Sequence, residues 1–220
     1  MDSASTSFVL GYHGCDRRLA EQVFSGKGSL KPSQNDYDWL GGGIDFWEHN
    51  ASRAYQFACD GRDRPYNGRR KIAEPAVVGA IIDLGLCLNL LDSRSIEIVR
   101  QAHADLMKLS KEAGTRLPSN SVGPDLLVRK LDCAVVRFLH ITREVEHDEP
   151  FDTVRAVFME GAPLYENAGF AAKNHIQLCV RNIACIKGYF RPLDEHGKTL
   201  SFASAFPTRS RLRGNAHGAK

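Results

Sequence analysis

His13 in GYHGC, Asp45 in GGGIDFWE, Glu160 in VFMEGAP and Gln177 in HIQLCV are the side chains whose settings suggest chemistry. A histidine on a glycine-bounded turn at a strand end can face a cleft and hydrogen-bond a ligand hydroxyl. The run Gly41–Gly43 is costly in conformational freedom, so it has a backbone reason. That reason is either a tight turn or a crowding of amides toward a polar or phosphate group, and both readings stand at this point. Gln177 alternates with Ile176 and Leu178, so a strand turns it away from its apolar neighbours. Glu160 precedes a turn-rich loop leading to the Gln177 strand, where a carboxylate is most often an exposed turn residue. Cys15 stands close to His13, but no orienting base accompanies it in a recognised pattern, so a thiol nucleophile is not expected. Cysteines and histidines nowhere cluster at ligand spacing, and no metal site is expected.

The elements that must position these residues follow from periodicity. Residues Phe8–Tyr12 read as a strand running into an HGC turn. Asp16 caps a helix over DRRLAEQVF, and Gly26 stops it. SGKGSLKPSQNDYD is a loop by composition. Ile44–Trp47 is the next strand, and Asn50 caps a helix in which Ala51, Ala54, Tyr55 and Ala58 share a face. CDGRDRPYNGRRK, residues 59–71, reads as a polar, basic loop. The β-branched run VVGAII is a buried strand. From Asp92 a long helix places Ile96, Val99, Ala102, Leu106 and Leu109 on one side and closes near Gly114. A second helix is expected over DLLVRKLDCAVVRFL, with Leu127, Leu131, Val135 and Phe138 lining it. TVRAVF, HIQLCV and IACIKGYF return the chain to strands. The order is α+β. Strand–helix alternation and a G-x-G-x-x-G loop are both missing, which disfavours a dinucleotide fold of the doubly wound kind.

Three segments fall in a familiar order: His13-Gly14-Cys15, then GGGIDFWEHNASRA, then HIQLCV. Together they resemble the ADP-ribosyltransferase superfamily, in the branch of diphtheria toxin and the poly(ADP-ribose) polymerases. AVVGAIIDLGLCLNLLD also resembles that family's strand after the helix. The likeness covers about residues 8–92 and 152–190; the helical stretch about 93–150 has no counterpart in it. It implies split antiparallel β-sheets gripping NAD, with that stretch as a helical insertion. NAD, the substrate, would be contacted by His13, Gly14, Gly43, Ile44 and Phe46. His13 would bond the adenosine-side ribose, and the Gly14 backbone would hold the nicotinamide amide. Gln177 stands where the family has its catalytic glutamate and Asp45 where it has a stacking tyrosine. Glu160 lies where the fold carries its target-recognition loop, and there it would help activate an acceptor. The implied activity is mono-ADP-ribosyl transfer to a protein or nucleic acid, in a toxin or toxin–antitoxin effector with a possible antitoxin partner. The two replacements point to an impaired enzyme or to a silent module binding NAD, ADP-ribose or a partner; an NAD glycohydrolase, with water as the acceptor, is a further alternative.

Size and charge set the remaining bounds. The 220 residues suffice for one sizeable core, with a single domain expected over 1–206. The last fourteen residues, 207–220, carry Arg209, Arg211, Arg213 and Lys220 without an acid, a basic tail. Such a tail is commonly a solvated terminus and otherwise a contact for nucleic acid or an acidic partner. The start of the chain lacks the pattern of a secretion signal, and no apolar run is long enough for a membrane span. A cytoplasmic protein with reduced thiols is therefore expected.

Overall fold

In the computed structural model, residues 8–63, 72–193 and 196–200 are described. The 64–71 part of the basic loop and the 207–220 tail lie outside them. Strand β1 (Phe8–Asp16) runs through the HGC segment, which is therefore not a turn: His13 pairs with Val78 in the middle of a ladder. The reason is the partner strand, β3 (Pro75–Asp83), whose nine residues pair with all nine of β1 and hold the glycines extended. Asp16 then caps α1 (Arg17–Phe24), its carboxylate accepting from the Arg18 amide, and Gly26 at φ +71° ends that helix.

Strand β2 (Ile44–Glu48) leads into α2 (Ala51–Asp63), whose Arg53 amide is capped by the Asn50 side chain at 2.9 Å. The helix extends through CDGRD, residues expected in a loop. After β3 come β4 (Cys87–Asn89) and α3 (Ser93–Glu112), capped by Asp92 and followed by Gly114 at φ +64°. Val99 and Leu106 pack inward with Ala102, whereas Ile96 and Leu109 are exposed. A small hairpin, β5 (Asn120–Ser121) and β6 (Val128–Arg129), takes up the residues expected to begin the next helix. Consequently α4 spans Lys130–Val145, and Leu127 is exposed on the hairpin side. Strands β7 (Thr153–Phe158) and β8 (His175–Val180) follow. A 3-10 turn over Ile183–Cys185 then leads into β9 (Ile186–Phe190).

Seven strands join in one sheet, ordered β4-β7-β8-β2-β1-β3-β9; all neighbours are antiparallel except β4 and β7. The fold is thus α+β, with these seven strands in one hydrogen-bonded sheet where a split pair was expected, and β5 and β6 paired apart from it. That sheet has a narrow waist, because β1 and β2 share only the pairs Gly11–Glu48 and Tyr12–Trp47. Alternate side chains feed separate cores. Ile44, Phe46, Val78, Ile82, Leu178 and Val180 pack with Ala20 and Val23 of α1. On the other face α3 and α4 cover Leu88, Val154, Ala156 and Cys179, while α2 covers Trp47 and Val77. Each fully buried large side chain contributes about 1.5–3 kcal/mol, so these three clusters carry the fold. No helix among the described residues is long and apolar enough to cross a membrane.

Candidate functional site

The glycine run has a packing reason. A Cβ on Gly43 would meet Cys179 Sγ at 2.4 Å and the Val180 carbonyl at 2.7 Å, and Gly41 sits at φ +83°. The Gly41 and Gly43 amides donate to the Asp38 and Ser33 carbonyls at 2.7 and 3.1 Å. Those two amides are committed within the protein, so the turn-and-packing reading accounts for them. Gly14 is equally constrained: a Cβ there would lie 2.0 Å from the Ala54 carbonyl of α2.

His13 stands where β1 and β2 part. Its Nδ1 lies 2.8 Å from the Asp45 carbonyl. A carbonyl only accepts, so Nδ1 carries the proton, and the imidazole prolongs a ladder that the backbones have left. Burial lowers the His13 pKa, so the ring is neutral at pH 7 with its lone pair on Nε2. Pleat alternation places Tyr12, Trp47 and Gln177 in one cross-strand row and His13 on the other face, against Phe46 and Val78. Asp45 pairs with Cys179 on β8, one diagonal step from Gln177 and on its face. The chain therefore ties His13 to the Asp45 backbone and sets Asp45 beside Gln177, but it does not turn the imidazole toward the glutamine. Ile44 and Phe46 are fully buried core residues beneath α1, and Gly43 is closed in by β8.

Around Gln177 lies a buried polar cluster. Its Oε1 accepts from the Trp39 indole N–H at 3.0 Å. His175, two residues earlier on the same face, donates from Nδ1 to the Lys173 carbonyl at 2.7 Å and stacks on Phe158 at 5.4 Å. Burial lowers its pKa as well. Arg53 reaches in from the first turn of α2 and bonds Glu160 at 2.6 Å, in a pair whose side chains are only 8% and 14% exposed. Lys173 Nζ lies 3.5 Å from the same carboxylate, so Glu160 is held by two cations rather than left exposed. The Arg53 guanidinium also sits 5.8 Å from the Trp47 ring.

Four side-chain atoms here are buried without a hydrogen-bond partner: Trp47 Nε1, Arg53 Nε, Arg53 Nη1 and His175 Nε2. Buried polar atoms are nearly always paired, because leaving one unpaired costs about 1–3 kcal/mol. A local concentration of three unpaired N–H donors and one imidazole nitrogen is therefore a site marker. Its chemistry suits a ligand rich in acceptor oxygens, with aromatic surfaces for a planar ring.

Trp39, Trp47, Arg53, Lys173 and His175 were not among the residues expected to act. The one available signal was Arg53, a charged residue beside the apolar helical positions Ala51 and Ala54. Cys15 is excluded as a nucleophile on physical grounds, since burial first and the Asp16 charge second push its thiol up to about 12. All six cysteines are free. Among the described residues no group of three or more His, Cys, Asp or Glu side chains is arranged to hold a metal ion.

The chain is 27% identical over 192 residues to an uncharacterized protein of Methanocaldococcus jannaschii, covering 80% of this chain and 83% of that protein. No family model and no solved structure matches it.

Proposed function

We propose that this protein is a mono-ADP-ribosyltransferase of the diphtheria-toxin and poly(ADP-ribose) polymerase type. It would move ADP-ribose from NAD to a protein or nucleic acid as a toxin or toxin–antitoxin effector. The observation that carries the reading is the buried cluster of unpaired donors around Gln177, beside the waist where β1 and β2 part. The motif segments GYHGC, GGGIDFWE and HIQLCV all meet there. The narrow waist, where β1 and β2 share only two pairs, also supports the finer fold reading of a sheet that divides into two parts there.

In the reaction the bond from the ribose C1′ to nicotinamide breaks, and the electron pair leaves with the ring as neutral nicotinamide. The acceptor nucleophile bonds C1′ and loses its proton. A neutral leaving group departing from a pyridinium needs little acid, so positioning and charge stabilisation set the rate. Gln177 would hold the nicotinamide ribose, and the Trp47 and Arg53 donors would hold acceptor oxygens of NAD.

A second reading, a module that binds NAD without turning it over, is favoured by the Trp39 bond. That bond occupies Gln177 Oε1 and leaves a neutral amide where the mechanism wants a negative charge. The deciding experiment incubates the parent chain and Asp45→Tyr with labelled NAD and cell lysate, digested separately with protease and nuclease. Transfer by the tyrosine variant establishes the transferase and its acceptor class. Label released only as free ADP-ribose marks an NAD glycohydrolase. Binding without either supports the module, and no NAD binding overturns the family reading.

A further inference from the structure

Two further buried polar atoms lack a hydrogen-bond partner, Nε2 of His140 and Nε of Arg181, and neither belongs to the Gln177 cluster. Strand alternation runs from Gln177 through Cys179 to Arg181, just past the end of β8, and carries the Arg181 side chain under α4. Its Nη1 lies 4.0 Å from where a Cβ on Gly41 would stand, and Val136 Cγ1 lies 3.1 Å from the same point. The guanidinium therefore reaches the turn of α4 that joins Val136 to His140. There His140, only 6% exposed, donates from Nδ1 to the Val136 carbonyl at 2.8 Å and meets Phe151 edge-on at 5.9 Å. Burial lowers its pKa to about 4, so at pH 7 the ring is neutral and Nε2 carries the lone pair.

Among the described residues Arg181 forms no ion pair: Glu144, one turn beyond His140, acts on its charge only through space. The other acids nearby are committed. Asp152 accepts from the Leu86 amide at 2.9 Å and the Asn182 side chain at 2.7 Å, and Asp38 accepts from the Asn35 amide at 2.8 Å. Arg143, on the same helix, is engaged by the Glu149 carbonyl at 2.6 Å and by Asp148 at 3.3 Å. A partly buried guanidinium without a counter-charge thus stands beside an imidazole lone pair. We propose that Arg181 and His140 bind a small oxyanion that keeps one hydroxyl, hydrogen phosphate or bicarbonate. Its charged oxygen accepts from Arg181 in a charge-assisted bond, and its hydroxyl donates to His140 Nε2. A water molecule satisfies both hydrogen bonds but leaves the guanidinium charge uncompensated. Sulfate compensates the charge but brings no proton to the imidazole.

Inorganic phosphate and bicarbonate are the probes, each titrated into the full chain at pH 7 by calorimetry, with sulfate as the control. The tighter of the two identifies the occupant, and saturation at about a millimolar or below is expected. Sulfate should bind about tenfold more weakly, the worth of one hydrogen bond to a buried acceptor. His140→Leu should bring the hydroxylated anion down to the level of sulfate, and Arg181→Met should abolish binding of all three. The comparison of anions on the parent chain needs no variant to fold. The proposal is overturned if neither probe saturates, if sulfate binds the parent as tightly as they do, or if folded Arg181→Met keeps the binding, which would place the anion elsewhere. Anion binding by a chain that fails to bind NAD upholds this site and counts against the transferase alone.

Discussion

The indole N–H of Trp39 donates to Oε1 of Gln177 at 3.0 Å, across 138 positions of sequence. An indole can only donate, so this contact fixes the amide flip: the carbonyl oxygen faces Trp39 and the NH₂ faces elsewhere. The loop bearing Trp39 thus takes up the one oxygen of the amide, a bond that one oxygen of a carboxylate at 177 would accept equally well while leaving the other available.

Gln177→Glu is accordingly expected to keep the Trp39 bond and to supply the charge that the proposed transfer calls for. Nicotinamide release from NAD should rise on the order of 100-fold, the scale of one preorganised electrostatic group. Adding Trp39→Phe should take back part of the gain. Chromatography of released nicotinamide reads both, and a rate unchanged from the parent counts against the transferase.

Glu160 and Arg53 form a buried pair, so removing one partner strands the other. Glu160→Ala should cost about 3–5 kcal/mol. The double change Arg53→Met, Glu160→Leu removes both charges and should lie much nearer the parent. Urea unfolding of the two variants checks this; equal losses in both would refute it.

His140 predicts a pH dependence unrelated to the candidate site. Its Nδ1 donates to the Val136 carbonyl at 2.8 Å within α4. Burial first, and the Arg181 charge second, lower its pKa from 6.5 to about 4. The unfolded chain binds this proton more readily than the fold does. The stabilisation is therefore complete above pH 6.5 and is lost as pH falls toward 4, by up to about 3 kcal/mol. His13 and His175 are shifted in the same direction and add to the slope. In His140→Leu the slope of unfolding free energy between pH 4 and 6.5 should flatten, as denaturant melts across that interval would show.

The glycines differ in what an added methyl meets. At Gly14 it meets the Ala54 carbonyl, and at Gly43 the Val180 carbonyl and Cys179, so alanine there should cost about 3 kcal/mol. At Gly42 it meets only the mobile end of Gln34, and alanine should cost under about 1 kcal/mol. Thermal melts of the three variants rank them, and a Gly42→Ala loss as large as the others would contradict the packing account.

Local physics was legible where a short-range signal decides. Asp16, Asn50 and Asp92 cap helices because a side-chain oxygen meets amides two or three residues away, a relation contained in the sequence. Gly26 and Gly114 end helices for an equally local reason. The buried strands were legible from their β-branched runs, and the turning of Gln177 from its alternation with Ile176 and Leu178. Where a distant strand decides, the same signals misled. GYHGC reads as a turn by composition, yet the nine-pair ladder with β3 keeps it extended. CDGRD reads as a loop, yet α2 continues through it while packed on β1 and β3.

The α+β order, the helix caps, the buried strands and the set of motif segments that meet at the waist are written in local residue pattern. Which face each motif residue occupies is not, and comes from the folded sheet. A pleat's side depends on register, and register is set by partners far along the chain. That is why His13 lies on the other face of the sheet from Gln177, and why Trp39, Arg53 and His175, unremarkable one by one, converge on one buried cluster.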